Sequence, residues 1–146
     1  MKVTAGSREY LGSRLVAIRR SLARLELLRA GARAEVLADP DQYAIAEHHL
    51  RRLLECALDV ARHLLAKDGG FRPANYPEMM DGLERLQAIP PALAREMRDL
   101  AEQRNRLVHL GPEVTPAELW ALLAGPIDCL HAYCARIEAF LAPRGT

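Results

Sequence analysis

The sequence predicts an all-α fold, a bundle of about five helices around one core. Three observations carry this reading. Half of the residues are hydrophobic but only 5% are aromatic, and the apolar share is dominated by Leu and Ala, which favour helix over strand. Apolar positions recur at alternating intervals of four and three, the spacing of one helix face. Proline, glycine and short polar residues stand where those stripes begin and end.

The elements follow in order. Leu11, Leu15, Ile18, Leu22 and Leu25 form the stripe of a first amphipathic helix, which ends near Gly31. A second starts around Asp39-Pro40-Asp41, where Asp39 can cap and Pro40 suits the first turn, and runs to about Lys67 before Gly69-Gly70. Its length makes it the expected backbone of the bundle. From Gly70 to Pro77 the Gly, Pro and Asn content reads as a loop, and MMDGLERLQ then forms a short helix stopped by Pro90-Pro91. Pro91 opens a helix with Leu93, Met97, Leu100 and Leu107 on one stripe, ending near His109 because Gly111-Pro112 cannot continue it. Thr115 caps the last helix, with Pro116 at its first position and Glu118 at the capping-box position. That helix runs to about Leu141, kinked by Gly125-Pro126.

At 146 residues the chain fits a single domain spanning 1–146, long enough to bury roughly two-thirds of its unfolded surface. Twenty Lys and Arg against nineteen Asp and Glu leave a net charge of +1, so there is no broad basic field and any contact with nucleic acid must be local. Cys56, Cys129 and Cys134 are odd in number and form no C-x-x-C pair, which speaks against a disulfide framework and a four-cysteine zinc site. The N-terminal MKVTAGSREYLGSR lacks the apolar core of a signal peptide, and no run of 18 apolar residues occurs. A cytoplasmic protein that does not span a membrane is expected. The Leu- and Ala-rich stripes offer more apolar surface than five helices need for one small core, which predicts self-association into a dimer or larger.

Chemistry concentrates in Glu102-Gln103-Arg104-Asn105-Arg106-Leu107-Val108-His109, at a helix end before a Gly-Pro break. A helix turns about 100° per residue, so Asn105 and His109 share a face whereas Arg104 and His109 stand about 140° apart. Asn105 can therefore orient the His109 imidazole. Arg104 falls on the apolar stripe and requires a partner there, for which Glu55 and Asp59, one turn apart on the second helix, are the available carboxylates. Spacing alone also accommodates a blander account, in which His109 complements the helix C-terminal dipole and Arg104 makes an interhelical salt bridge.

The segment RNRLVH, residues 104–109, resembles the signature of the HepT-like family of HEPN domains: Arg, usually followed by Asn, then four to six residues and His. AEHHLRRLLECALDVARHLLA is similar to that family's long second helix with its Glu and Asp, and NYPEMMDGLERLQAIP to its short third helix. The resemblance covers roughly residues 10–141. It implies a HEPN-type bundle, a ribonuclease toxin and a homodimer whose two motifs line one cleft. It also implies a minimal nucleotidyltransferase antitoxin of the MntA type as partner, with RNA as substrate. Arg104, Asn105 and His109 would be catalytic, with Glu55 and Asp59 in support. His109 would move the proton of the 2′-hydroxyl or of the leaving oxygen, Arg104 would stabilise the phosphorane, and no metal or cofactor would be required because the attacking group belongs to the substrate. One departure stands out. The family commonly continues His-x-Tyr, the tyrosine to which the antitoxin attaches AMP, whereas here the sequence reads His109-Leu110-Gly111. The competing class is a non-catalytic HEPN protein that binds a nucleotide or a partner.

Other groups weigh less. His48, His49 and His63 with Glu47, Glu55 and Asp59 suggest a helical metal site, but no E-x-x-H or H-E-x-x-H string is present. Arg19-Arg20, Arg51-Arg52 and Arg62 read first as solvated helix faces, with Glu55 in reach of Arg51 or Arg52, and a phosphate-binding role for a few of them is the alternative. Trp120 and the tyrosines read as packing residues rather than base-stacking ones.

Overall fold

The computed structural model describes residues 3–67, 73–109 and 115–142, with the backbone alone at 104–109. Among them the chain is helical, in seven helices and one 3₁₀ turn. The helices are α1 (Ala5–Arg29), α2 (Arg33–Ala38), α3 (Pro40–Ala66), α4 (Tyr76–Arg85), α5 (Pro91–His109), α6 (Pro116–Ala124) and α7 (Cys129–Leu141). The 3₁₀ turn (Pro126–Asp128) lies between α6 and α7. None of the described helices is long and apolar enough to cross a membrane.

Local chemistry sets most boundaries. Thr4 caps α1 by accepting from the Ser7 N–H at 3.1 Å, so this helix starts six residues before the Leu11 stripe that announced it. Asp39 accepts from the Asp41 N–H at 2.9 Å with Pro40 in the first turn of α3, as the sequence predicts. Helix α4 begins earlier than expected, at Tyr76: Asn75 accepts from the Glu78 N–H at 3.0 Å while Glu78 accepts from the Ala74 N–H at 2.6 Å. This reciprocal arrangement converts the end of the expected loop into a helical turn. At the far end of α4 the Ala88 N–H reaches the Leu83 carbonyl and the Gln87 N–H the Glu84 carbonyl, a Schellman motif with Gln87 at φ 63°.

Two corrections raise the helix number above about five. Six residues, Arg33–Ala38, form a short α2 that anchors itself through buried Val36; it is too short to show a period in the sequence. The last helix is broken rather than kinked. Pro126 has no N–H to donate, and the chain passes through a 3₁₀ turn before α7 resumes at Cys129. At the head of α6, Thr115 accepts from the Glu118 N–H at 3.2 Å, and the Glu118 carboxylate takes the Thr115 hydroxyl at 2.8 Å.

Helices α1 and α3 form the main antiparallel pair, α4 packs on α3 and α5, and α7 closes the core against α1 and α5. Leu11, Leu15, Ile18, Leu22 and Leu25 are all buried, as are Leu53, Leu54, Val60, Leu64 and Leu65 of α3. Fully burying such a side chain contributes about 1.5–3 kcal/mol relative to exposure. Among the described residues these stripes close on one another within the chain. The large apolar side chains left exposed among the described residues are Tyr10, Val16 and Leu27.

Candidate active site

Helix α5 carries the motif. Its first three turns are pinned by buried Leu93, Ala94, Met97, Leu100 and Ala101. Met97 Sδ lies 3.6 Å from Cys129 Sγ at the start of α7, and Arg98 bonds Asp81 of α4 at 2.8 Å with Glu84 at 3.5 Å. These contacts fix the helix axis along which the last two turns run. Arg104, Asn105 and His109 occupy those turns, so the helical spacing assumed for them holds in the backbone. Their side chains, with that of Leu107, lie outside the described residues, as do Gly69-Gly70, Leu110 and the Gly111-Pro112 break.

The two carboxylates expected to support Arg104 sit on α3, and among the described residues Asp59 faces two other arginines. It lies 3.9 Å from Arg14 of α1 and 3.7 Å from Arg62 one turn along. Glu55 is exposed. Arg51 bonds Glu47 at 2.9 Å, the preceding turn, rather than Glu55.

Two of the histidines on α3 pair with serines of α1. His63 Nε2 is 2.9 Å from Ser7 Oγ, and His49 Nδ1 is 3.2 Å from Ser21 Oγ; both serines are buried on α1. The two pairs are fourteen residues apart on each helix, which antiparallel packing brings into register. The His48 ring meets that of His49 edge-on at 5.0 Å. Burial, with His48 and Arg24 nearby, pushes the His49 pKa down. No group of three metal-binding side chains is assembled among the described residues.

Of the remaining candidates, several pack and Tyr10 does not. Tyr133 is fully buried and donates to the Ala57 carbonyl at 2.8 Å, and Trp120 rests against the core. All three cysteines are buried free thiols, with burial pushing Cys129 up to about 12 and Cys134 up to about 11, which removes them as nucleophiles. A cleft of about 360 Å³ is lined by Glu84, Gln87, Ile89, Pro90, Pro91 and Arg136. It opens at the start of α5, about 27 Å along the helix from His109, and so lies apart from the motif.

Sequence reasoning took Tyr10, with the other tyrosines, for a packing residue and did not single out Arg14. The Tyr10 ring lies 5.0 Å from the His63 ring, and the Arg14 guanidinium stands 5.7 Å from the Tyr10 centroid. The i, i+4 spacing of Tyr10 and Arg14 was legible, but their meeting with Asp59 and His63 depends on the α1/α3 pairing.

Comparison with known proteins places this architecture. A family model described as Ribonuclease HepT-like matches residues 18–137. A tRNA nuclease HepT from Aphanizomenon flos-aquae (strain 2012/KM1/D3) is 25% identical over 130 residues, covering 88% of this chain and 88% of that protein. A tri-AMPylated Shewanella oneidensis HEPN toxin, solved in complex with MNT antitoxin, superposes with a TM-score of 0.77 at 17% identity, covering 89% of this chain and 97% of that one. YutE of Bacillus subtilis, described as a cytosolic protein of unknown function, gives 0.77 at 20% identity over 94% and 95%. The structural likenesses establish a shared fold, and the family match extends it to sequence. Because that match spans most of the chain, from α1 to α7 and through the Arg104–His109 segment, the protein belongs to the HepT-like ribonuclease family of HEPN domains.

Proposed function

We propose that this chain is a metal-independent endoribonuclease, the toxin of a toxin–antitoxin pair, acting through Arg104, Asn105 and His109. The observation that carries the reading is the family match across residues 18–137, which includes the motif on α5. The similar Aphanizomenon protein is named a tRNA nuclease, which supports RNA as the substrate class. The similar Shewanella toxin was solved with an MNT antitoxin, which supports an MntA-like nucleotidyltransferase partner.

The proposal takes residues 1–146 as one domain. A single cluster of buried residues drawn from α1 and α3 to α7 supports this. Two copies are expected to face each other across a two-fold axis. Arg104 and His109 diverge by about 140° on one helix, so convergence on one phosphate is easier with the second copy contributing. His109 then moves the proton, Asn105 orients the imidazole, and Arg104 stabilises charge on the phosphorane. Glu55 or Asp59 on α3 is proposed to hold Arg104, and Asp59 also faces Arg14 and Arg62 without bonding to them.

Cleavage is expected to survive EDTA, leave cyclic 2′,3′-phosphate ends, and fall on the order of 100- to 1,000-fold in Arg104→Ala and His109→Ala. Loss on chelation, restored by a divalent ion, overturns the mechanism. Gly111 in place of the family tyrosine favours one second reading, a non-catalytic HEPN protein that binds a nucleotide or partner. Equal, background-level RNase activity in wild type and His109→Ala selects it.

A further inference from the structure

At one end of the α1/α3 seam, two guanidinium groups share one carboxylate without bonding to it. Arg14 and Arg62 approach Asp59 to 3.9 and 3.7 Å, beyond hydrogen-bond range. Elsewhere Arg29 meets Asp128 at 2.8 Å, Arg98 meets Asp81 at 2.8 Å and Arg51 meets Glu47 at 2.9 Å. Among the described residues, two cations thus face the Asp59 carboxylate without either bonding to it. Arg14 is 26% exposed and its Nε is buried without an acceptor among the described residues, so packing against the Tyr10 ring fixes the group. Arg62, 60% exposed, forms the outer side.

Beside them stands an aromatic surface. Tyr10 is 40% exposed, with His63 tilted 34° against its ring. His63 is itself held by Ser7, so the pair is presented on a rigid seam.

We infer that this seam is a nucleotide subsite for single-stranded RNA, with a phosphate between Arg14 and Arg62 and a base against Tyr10. A planar guanidinium fork matches phosphate oxygens, and an exposed ring accepts any base because every base has a π-face. An acidic protein segment would require the arginines but not the exposed ring. Asp59 occupies the position that the phosphate oxygens would take and competes with them. The net charge of +1 makes such a local device necessary, since the chain has no general attraction for RNA. The biological setting rests on the ribonuclease reading, but binding at the seam does not require cleavage.

The test uses wild-type protein and a fluorescein-labelled 2′-O-methyl oligoribonucleotide, which lacks the attacking hydroxyl and stays intact. By anisotropy, Arg62→Gln is expected to weaken binding on the order of tenfold. It should also flatten the log–log salt dependence by about 0.7. Tyr10→Ala is expected to weaken binding about fivefold or more while Tyr10→Phe retains it. Asp59→Asn is expected to tighten it. Arg62 is mostly exposed, so its replacement leaves the core intact even if Arg14→Gln fails to fold. Unchanged affinity in Arg62→Gln and Tyr10→Ala overturns the inference, as does weakening by Asp59→Asn. Loss of the partner nucleotidyltransferase with RNA affinity intact also overturns it, by making the seam a protein contact. A protein without nuclease activity that still shows this binding pattern upholds the seam and rejects the cleavage reading, so the two fail separately.

Discussion

Tyr133 on α7 donates its hydroxyl to the Ala57 carbonyl in the middle of α3, 2.8 Å away and 76 residues apart in sequence. The tyrosine is fully buried, and burial holds its pKa well above the ordinary phenol value, so it remains a neutral donor. This bond ties the closing helix to the long central one.

Tyr133→Phe is expected to lower stability by about 1 kcal/mol, since it removes one buried hydrogen bond while keeping the ring. That corresponds to a melting temperature about 2–4 °C lower for a domain of this size. Urea unfolding is the check, and an unchanged midpoint would show that the bond contributes nothing net.

Gln87 holds a left-handed backbone at φ 63° to complete the Schellman turn after α4. A Cβ there is strained, whereas glycine adopts this conformation freely. Gln87→Gly is expected to stabilise by up to about 1 kcal/mol, after the greater freedom of glycine in the unfolded chain is counted. Gln87→Val should destabilise, because a β-branched residue fits positive φ worst. Thermal unfolding of both variants with opposite signs is the expected result.

His49 supplies a pH dependence. Its pKa is pushed down in the folded protein, first by burial and then by His48 and Arg24. The unfolded chain therefore takes up the proton more readily than the folded one, so stability rises with pH around the ordinary histidine value of about 6.5. As pH falls below that value, the wild type should lose stability relative to His49→Gln. Parallel profiles for the two proteins between pH 7.5 and 5.5 would contradict this.

Gly111 stands where the family resemblance implies a tyrosine, and it offers no side chain. Of the four tyrosines, Tyr76 and Tyr133 are buried, while Tyr10 lies on α1 and Tyr43 on α3, both outside the motif. Intact mass after coexpression with a neighbouring nucleotidyltransferase and ATP is expected to show no AMP within residues 104–116. Stoichiometric AMP mapped to that segment would be the contrary result. Without AMP there, neutralisation rests on occlusion by the bound partner, or the chain has weak or no nuclease activity to neutralise.

What the sequence determined was local. Asp39-Pro40 and Pro90-Pro91 mark the starts of α3 and α5 because capping and a fixed φ act within one turn. The four-three stripe of α1 identifies its buried face, and the spacing of Arg104, Asn105 and His109 could be read from helical geometry alone. The tertiary structure decided what depends on distant partners. Helix α2 is held by one buried valine, too little to register as a period, and the break at Gly125-Pro126 had to choose between a kinked helix and two separate ones. The partners of Asp59 could not be assigned from spacing. Arg62 was in reach along α3, but Arg14 lies 45 residues away on α1, and only the antiparallel docking of the two helices sets it, with Tyr10 and His63, around that one carboxylate. A helix turn is determined by its neighbours in sequence, whereas a side chain's partner is determined by which helix faces the core pairs.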